Sequence, residues 1–240
     1  MLQLIPPNPP WKGGERVDKA VVLLSGGLDS STVLYQGIAD GYECYALSFN
    51  YQQRHQRELD AAREIATAAG VTQQVVSFDL GLWGGSALTD DQIDVPRDRA
   101  PEDMATEIPV TYVPARNTIF LSFALAYAEA LEAKRVYLGV NALDYSGYPD
   151  CRPDYINAMQ QVFQLGTKQG REGSSIEIIS PLIELKKTEI IQLGNQLNVP
   201  WEKTWSCYQG GEKACGVCDS CQLRLNAFQE LGLTDPLPYV

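Results

Sequence analysis

The stretch Ser25-Gly26-Gly27-Leu28-Asp29-Ser30 lies between an unbroken apolar run, Ala20–Leu24, and a segment, Ser30–Asp40, in which Val33, Leu34 and Ile38 share one helical face before Gly41. A buried strand, a glycine turn and a helix start follow from that pattern. Such a turn aims backbone N–H groups and the positive helix end at one point, which suits a phosphate or pyrophosphate. It lacks the Gly-Lys-Ser/Thr ending of a Walker A loop and the GxGxxG of a dinucleotide turn. A Ser/Asp-capped helix after a tight turn would use the same residues. The strand before and the helix after favour the anion.

Outward from this loop, strand and helix patterns alternate. Tyr42–Phe49 and Val75–Phe78 read as the second and third strands, with a helix from about Gln56 to Ala69 between them. Residues 80–110 lose periodicity and collect Gly, Pro and acidic residues, as lids, binding loops and disordered segments do. Asn117–Leu131 follows as a helix, and its Phe120, Phe123, Ala124, Tyr127, Ala128 and Leu131 are expected in the core. Val136–Val140 and Ile176–Ile179 give strands four and five. Between them Asp154–Leu165 is helical, with Tyr155, Met159, Val162 and Phe163 expected to face inward; a further helix covers about Thr188–Leu197. Apolar strands alternating with helices argue for an α/β fold, a five-stranded parallel sheet covered on both faces. Ligands in such sheets bind at the carboxyl ends of the strands. Residues 1–18, with four prolines, read as an extended arm before a single domain, 19–240.

A length of 240 residues, 45% of them hydrophobic and 20% charged, excludes wholesale disorder. The net charge of −11 weighs against a broad nucleic-acid footprint, which needs a basic face. No apolar stretch approaches membrane-spanning length, and the opening residues have no signal-peptide core, so a cytoplasmic protein with no membrane partner is expected.

Four of the six cysteines fall together as Cys207-x7-Cys215-x2-Cys218-x2-Cys221. Four thiolates on short loops, with Gly210, Gly211 and Gly216 letting the backbone turn, suit one tetrahedral ion, so structural Zn²⁺ is the leading expectation. An iron–sulfur cluster is the rival, but its run expects another Cys soon afterwards, and Gln222-Leu223-Arg224-Leu225 follows instead.

The loop 25–30 resembles the PP-loop of the N-type ATP pyrophosphatases, which split ATP into AMP and pyrophosphate. With four other segments it resembles one family closely, the 7-cyano-7-deazaguanine synthases of the queuosine pathway. These segments are Gln53-Arg54-His55, Val113-Pro114-Ala115-Arg116-Asn117, the run from Asp144 through Ser146-Gly147-Tyr148-Pro149-Asp150-Cys151-Arg152, and Cys207-Tyr208 with the later cysteines and Arg224. The family usually has Gly where Ala115 stands, Gln at Leu28 and Cys-Glu-Thr at Asn141-Ala142-Leu143.

The resemblance implies a Rossmann-like fold of the adenine nucleotide alpha hydrolase type, with a C-terminal zinc-binding loop and helix spanning 205–225, and a homodimer. It implies that 7-carboxy-7-deazaguanine, ammonia and two ATP give the nitrile, two AMP and two pyrophosphate. ATP would lie against Leu24, Ser25, Gly26, Gly27, Leu28, Asp29, Ser30, Ser31, Thr32, Val33 and Leu34, with Asp29 helping to hold Mg²⁺. Arg54, His55, Arg116 and Lys187 are the candidates for phosphate or developing charge. Asp144, Tyr145, Tyr148, Asp150 and Arg152 are those for the purine, through stacking and a carboxylate facing its N1–H edge. Three other classes compete, the first another ATP-dependent amide-forming synthetase; those often carry or recruit a glutaminase, which 240 residues do not accommodate, so free ammonia is the expected donor. A tRNA thiolase would need an RNA-binding surface, which the charge opposes, and a non-catalytic nucleotide sensor would release no pyrophosphate.

Overall fold

Five parallel strands form one sheet in the order β3-β2-β1-β4-β5, in a computed structural model that describes residues 17–99, 108–142 and 147–240. The strands are β1 (Lys19–Leu23), β2 (Glu43–Asn50), β3 (Thr72–Ser77), β4 (Arg135–Tyr137) and β5 (Glu177–Ile179). Between β1 and β2 runs α1 (Leu28–Ala39), and between β2 and β3 α2 (Arg57–Ala69). Helix α3 (Arg116–Leu131) precedes β4; α4 (Pro153–Gly166) and the short α5 (Lys168–Arg171) precede β5. Two more helices, α6 (Lys187–Gln196) and α7 (Asp219–Glu230), complete the chain. This is the Rossmann-like α/β sheet expected. The N-terminal arm up to residue 16, the stretch 100–107 and the candidates Asp144 and Tyr145 lie outside the described residues.

Alternation along β1 divides the core. Val21 and Leu23 join Leu47, Phe49, Val136 and Leu138 under α3 and α4, while Ala20, Val22 and Leu24 join Val33, Leu34, Ile65, Ile190 and Ile191 under α1, α2 and α6. Successive strand side chains point to opposite faces, so one apolar strand feeds both layers. A third, smaller cluster joins Trp205, Cys207, Cys218 and Cys221 to Ala61, Ala87, Val95 and Leu237. The segment after residue 80 reaches this cluster through Asp98 N–H to Val217 O at 2.9 Å and an Arg99–Asp219 ion pair at 3.1 Å.

Several sequence expectations shift. Strand β3 begins at Thr72, three residues before Val75, with Thr72, Gln73 and Gln74 paired to Tyr45, Ala46 and Leu47. As an edge strand it keeps polar residues at little cost, so its start carries no apolar signal. Val162 is 50% exposed, not inward; Ile156, Met159 and Phe163 form the buried face of α4. On α3 the fully buried stripe is Asn117, Leu121, Ala124 and Ala128. The aromatics flank it over β2 and β3: Phe120 stacks on Phe49 at 4.0 Å, and Phe123, 39% exposed, stacks on Phe78 at 5.3 Å. Small residues face the sheet where the helix crosses closest, and rings fill the widening gap beside it.

Candidate active site

The chain leaves β1 for β2 on one side and returns to β4 on the other. A crevice therefore opens at the carboxyl ends of β1 and β4, where the strand order reverses. Residues 24–30 fill one lip of it. Helix α1 starts at Leu28, two residues before the expected Ser30, because Gly27 already stands at its N-cap with no side-chain cap. The first-turn N–H groups thus keep no intrahelical partner and face the crevice mouth. Ser25 and Ser30 brace the turn: their Oγ atoms are 3.0 Å apart, and Ser25 N–H donates to Ser30 Oγ at 3.2 Å. Gly26 has φ of +82° and lies so close to α2 that a Cβ there would be 2.4 Å from Ala62 N. Gly139, after β4, also passes the loop closely, though less so; a Cβ there would be 3.1 Å from Ser30 N.

The crevice holds a cavity of about 220 Å³. Leu24, Ser25, Gly27, Leu28, Asp29 and Ser30 line it, whereas Ser31, Thr32, Val33 and Leu34 are buried within the fold and do not. Lys187, at the first position of α6, reaches back to hold Asp29 with Nζ at 2.8 and 2.9 Å from the two carboxylate oxygens. Asn141, beyond β4, anchors the segment before α6 by donating from Nδ2 to Leu182 O at 2.9 Å and to Leu185 O.

Arg116 lines the other wall. A cation at a helix N-terminus opposes the macrodipole, and the residue before it, Ala115, is held at φ +55°. Both features run against local preference, as is common where geometry serves a ligand. The guanidinium makes one hydrogen bond, from Nη1 to Tyr51 Oη at 3.5 Å, and no ion pair among the described residues. Around it stand Tyr51, Phe49, Phe120, Asn117, Cys151, Tyr148 and Tyr208. Tyr148 is buried, its hydroxyl 2.7 Å from Thr111 Oγ1. Burial pushes the Cys151 thiol up to about 12, so it stays protonated. Glu58, in the first turn of α2, also lines the cavity, and burial pushes its carboxyl up to about 7 despite the charge of Arg116.

The remaining sequence candidates stand elsewhere. Arg54 donates from Nη2 to Ile93 O at 2.8 Å and pairs with Asp91 at 3.3 Å, bracing the loop after residue 80. His55 packs on Gly210 of the cysteine loop, with burial lowering its pKa. Asp150 is buried and accepts from the Asn117 backbone N–H at 3.0 Å, fixing the start of α3. Arg152 caps α4 and is exposed. None of the four lines the cavity. Glu58, Tyr51, Asn117 and Tyr208 do line it. For Tyr208 the sequence offers a hint, its place beside Cys207; for Glu58 it offers none.

The four clustered cysteines bring their Sγ atoms within 4.8 Å of one another, with Cys215 and Cys221 4.0 Å apart. Tetrahedral coordination at zinc–sulfur length separates sulfurs by about 3.8 Å, so one ion fits. Backbone N–H groups of Gln209 and Cys215 point at Cys207 Sγ at 3.4 and 3.3 Å, and that of Cys218 at Cys215 Sγ at 3.4 Å. Donors aimed at sulfur favour thiolates. The C-terminus closes this unit: Arg224 binds Asp235 through Nε at 2.7 Å and Nη2 at 2.9 Å, and Ala214 N–H donates to Pro238 O at 2.8 Å. The unit is also the cavity's roof. Trp205, Ser206, Tyr208 and Ser220 line the space, and Trp205 N–H donates to Gly26 O at 2.8 Å.

Comparison with known proteins agrees with this arrangement. The family described as queuosine biosynthesis protein QueC matches residues 19–232. The chain is 76% identical over 220 residues to the 7-cyano-7-deazaguanine synthase of Trichodesmium erythraeum (strain IMS101), covering 91% of this chain and 99% of that one. To the protein of the same name from Thermoplasma acidophilum it is 59% identical over 222 residues, covering 92% of each. Its backbone overlaps that of NMN synthetase from Francisella tularensis with a TM-score of 0.47 at 16% identity, over 91% of this chain and 74% of that one. The fold rests on the sheet order, not on that overlap. The chain belongs to the QueC family of queuosine biosynthesis proteins.

Proposed function

We propose that the chain is a ligase of the 7-cyano-7-deazaguanine synthase type, joining ammonia to 7-carboxy-7-deazaguanine at the expense of two ATP. One observation carries the reading. A single cavity has an uncapped helix N-terminus after a glycine turn at one end and, on the opposite wall, a guanidinium that makes no ion pair among the described residues. The first accepts the triphosphate, the second the substrate's carboxylate, and the two reacting groups meet between them.

A carboxylate repels nucleophiles and has no good leaving group. It therefore attacks the α-phosphorus, and pyrophosphate departs into the Ser25–Ser30 turn. The acyl-adenylate accepts ammonia and expels AMP, giving an amide. Adenylation of the amide oxygen then lets that oxygen leave as a second AMP, and the nitrile forms. No protein nucleophile is needed; positioning and charge stabilisation do the work. Asp29, on the cavity wall, would hold the Mg²⁺ that accompanies ATP, an ion that would neutralise phosphate charge, and Lys187, bound to Asp29, would add positive charge behind it. Tyr148, Tyr208, Phe49 and Phe120 offer ring faces for the deazapurine. Structural Zn²⁺ on Cys207, Cys215, Cys218 and Cys221 would fix the roof. Six unpaired cysteines fit a reducing, cytoplasmic setting, and residues 19–240 would work as one domain on small-molecule substrates.

The test is to incubate the metal-loaded protein with the acid, ATP, Mg²⁺ and ammonia. Nitrile by mass, with two AMP and two pyrophosphate for each, is expected. Turnover to ADP and orthophosphate, or no nitrile from folded protein, would overturn the reading.

A further inference from the structure

Among the described residues, three charged side chains line the cavity: Asp29, Arg116 and Glu58. Asp29 is already neutralised by Lys187. Glu58 is different. It accepts no hydrogen bond and makes no ion pair among the described residues. Its place is nonetheless tightly set, because the first turn of α2 rests on the loop; a Cβ at Gly26 would lie 2.6 Å from Glu58 O. Its side chain faces an aromatic-walled cavity in which the charge of Arg116 is the favourable electrostatic contact it feels. The helix does not need it there, since Asp60 already supplies an exposed acid to the same turn.

We propose that Glu58 is the subsite for the nitrogen donor, binding ammonium and accepting its proton. The proposal rests on the synthetase reading above and extends it. At neutral pH the donor is mostly ammonium, which has no lone pair to offer. Glu58 takes one proton, and the freed pair forms the C–N bond at the acyl-adenylate. The acyl C–O bond breaks, AMP leaves with its electrons, and loss of a second proton from nitrogen leaves the neutral amide. In the second half the adenylated amide bears a C=N–H group. Removing that proton lets the nitrogen pair form the third C–N bond as AMP departs, so one carboxylate serves the same nitrogen in both halves. Its place on the cavity wall puts the carboxylate where it can take a proton from a donor bound beside the adenylate.

Glu58→Gln tests the proposal through three measurements. ATP–pyrophosphate exchange driven by the acid reports adenylation alone. Nitrile formation from ammonia reports the full sequence. Hydroxylamine, a nucleophile largely unprotonated at neutral pH, traps the adenylate as a hydroxamate without a base. The expected result is exchange and hydroxamate formation close to the unmodified protein, with kcat/KM for ammonia lower by about 100-fold or more. Glu58→Asp, which keeps the carboxylate, should recover part of the ammonia-dependent rate and serves as the reading if the Gln variant folds poorly. Undiminished use of ammonia overturns the assignment, as do parallel losses in all three measurements or an Asp variant no better than Gln. Absence of exchange in the unmodified protein sinks the synthetase reading itself, whereas normal exchange with normal ammonia use in Glu58→Gln sinks the nitrogen subsite alone.

Discussion

Gly26→Ala probes the contact on which the whole site is built. The residue has φ of +82°, and an added Cβ would meet Ala62 N at 2.4 Å, Glu58 O at 2.6 Å and Ala61 C at 2.8 Å. All three are backbone atoms of α2, so no rotamer change relieves the clash. Left-handed backbone for an alanine costs about 1–2 kcal/mol. Forcing a methyl into a packed contact adds about 1–3 kcal/mol, for a total near 2–5 kcal/mol. Gly41 supplies the control: its φ is +88°, but nothing lies within 4 Å of a Cβ there. Gly41→Ala should therefore lose only the backbone term. For a chain of this size each kcal/mol lowers Tm by about 2–4 °C, so Gly26→Ala should melt roughly 4–20 °C lower and Gly41→Ala about 2–8 °C lower. Circular dichroism of the metal-loaded proteins reads both. The Gly26 variant should also lose ATP affinity, because α2 and the turn are driven apart, whereas the Gly41 variant should not. Equal melting of the two would refute the close approach of α2 to the loop.

Two further outcomes follow from residues around the cavity. Removing the ion from the four cysteines should cost on the order of 10 kcal/mol of apparent folding energy in that unit. Elemental analysis should find one zinc per chain, and chelation should abolish ATP binding and the near-ultraviolet signal of the roof tryptophan Trp205; retained binding in stripped protein would contradict the roof. Ala115→Gly should stabilise the protein by about 1 kcal/mol, since φ of +55° burdens alanine and not glycine; a lower Tm would show that the methyl makes a contact worth more than the strain.

Much of this site was legible locally. An apolar run, two glycines and a helical pattern fixed strand, turn and helix within two residues, and cysteine spacing alone marked the four-sulfur cluster. The reversal of strand order between β1 and β4 then placed both loops at one crevice. What escaped was whatever depended on direction rather than adjacency. Arg54 and His55 follow a strand, as ligand-binding residues do, yet the chain turns them toward Ile93 and Gly210. Asp150 looked like a purine acceptor, but its oxygen takes the Asn117 N–H, a need created by the N-terminus of α3. Glu58 reads in sequence as an ordinary acid in a helix's first turn. Only the packing of α2 on Gly26 aims it inward. The aromatic residues of α3 pack against the core as their period implies, but Phe120 and Tyr127 do so as half-buried flanks of the stripe Asn117, Leu121, Ala124 and Ala128, and Phe123 is exposed.

The central claim is that the acid's own oxygens depart on AMP, one in each half of the reaction. Substrate labelled with ¹⁸O in both carboxylate positions tests it directly by mass spectrometry of the nucleotide products. One label in each of the two AMP molecules, with none in pyrophosphate, is the predicted result. Label appearing in orthophosphate, or AMP carrying none, would contradict it.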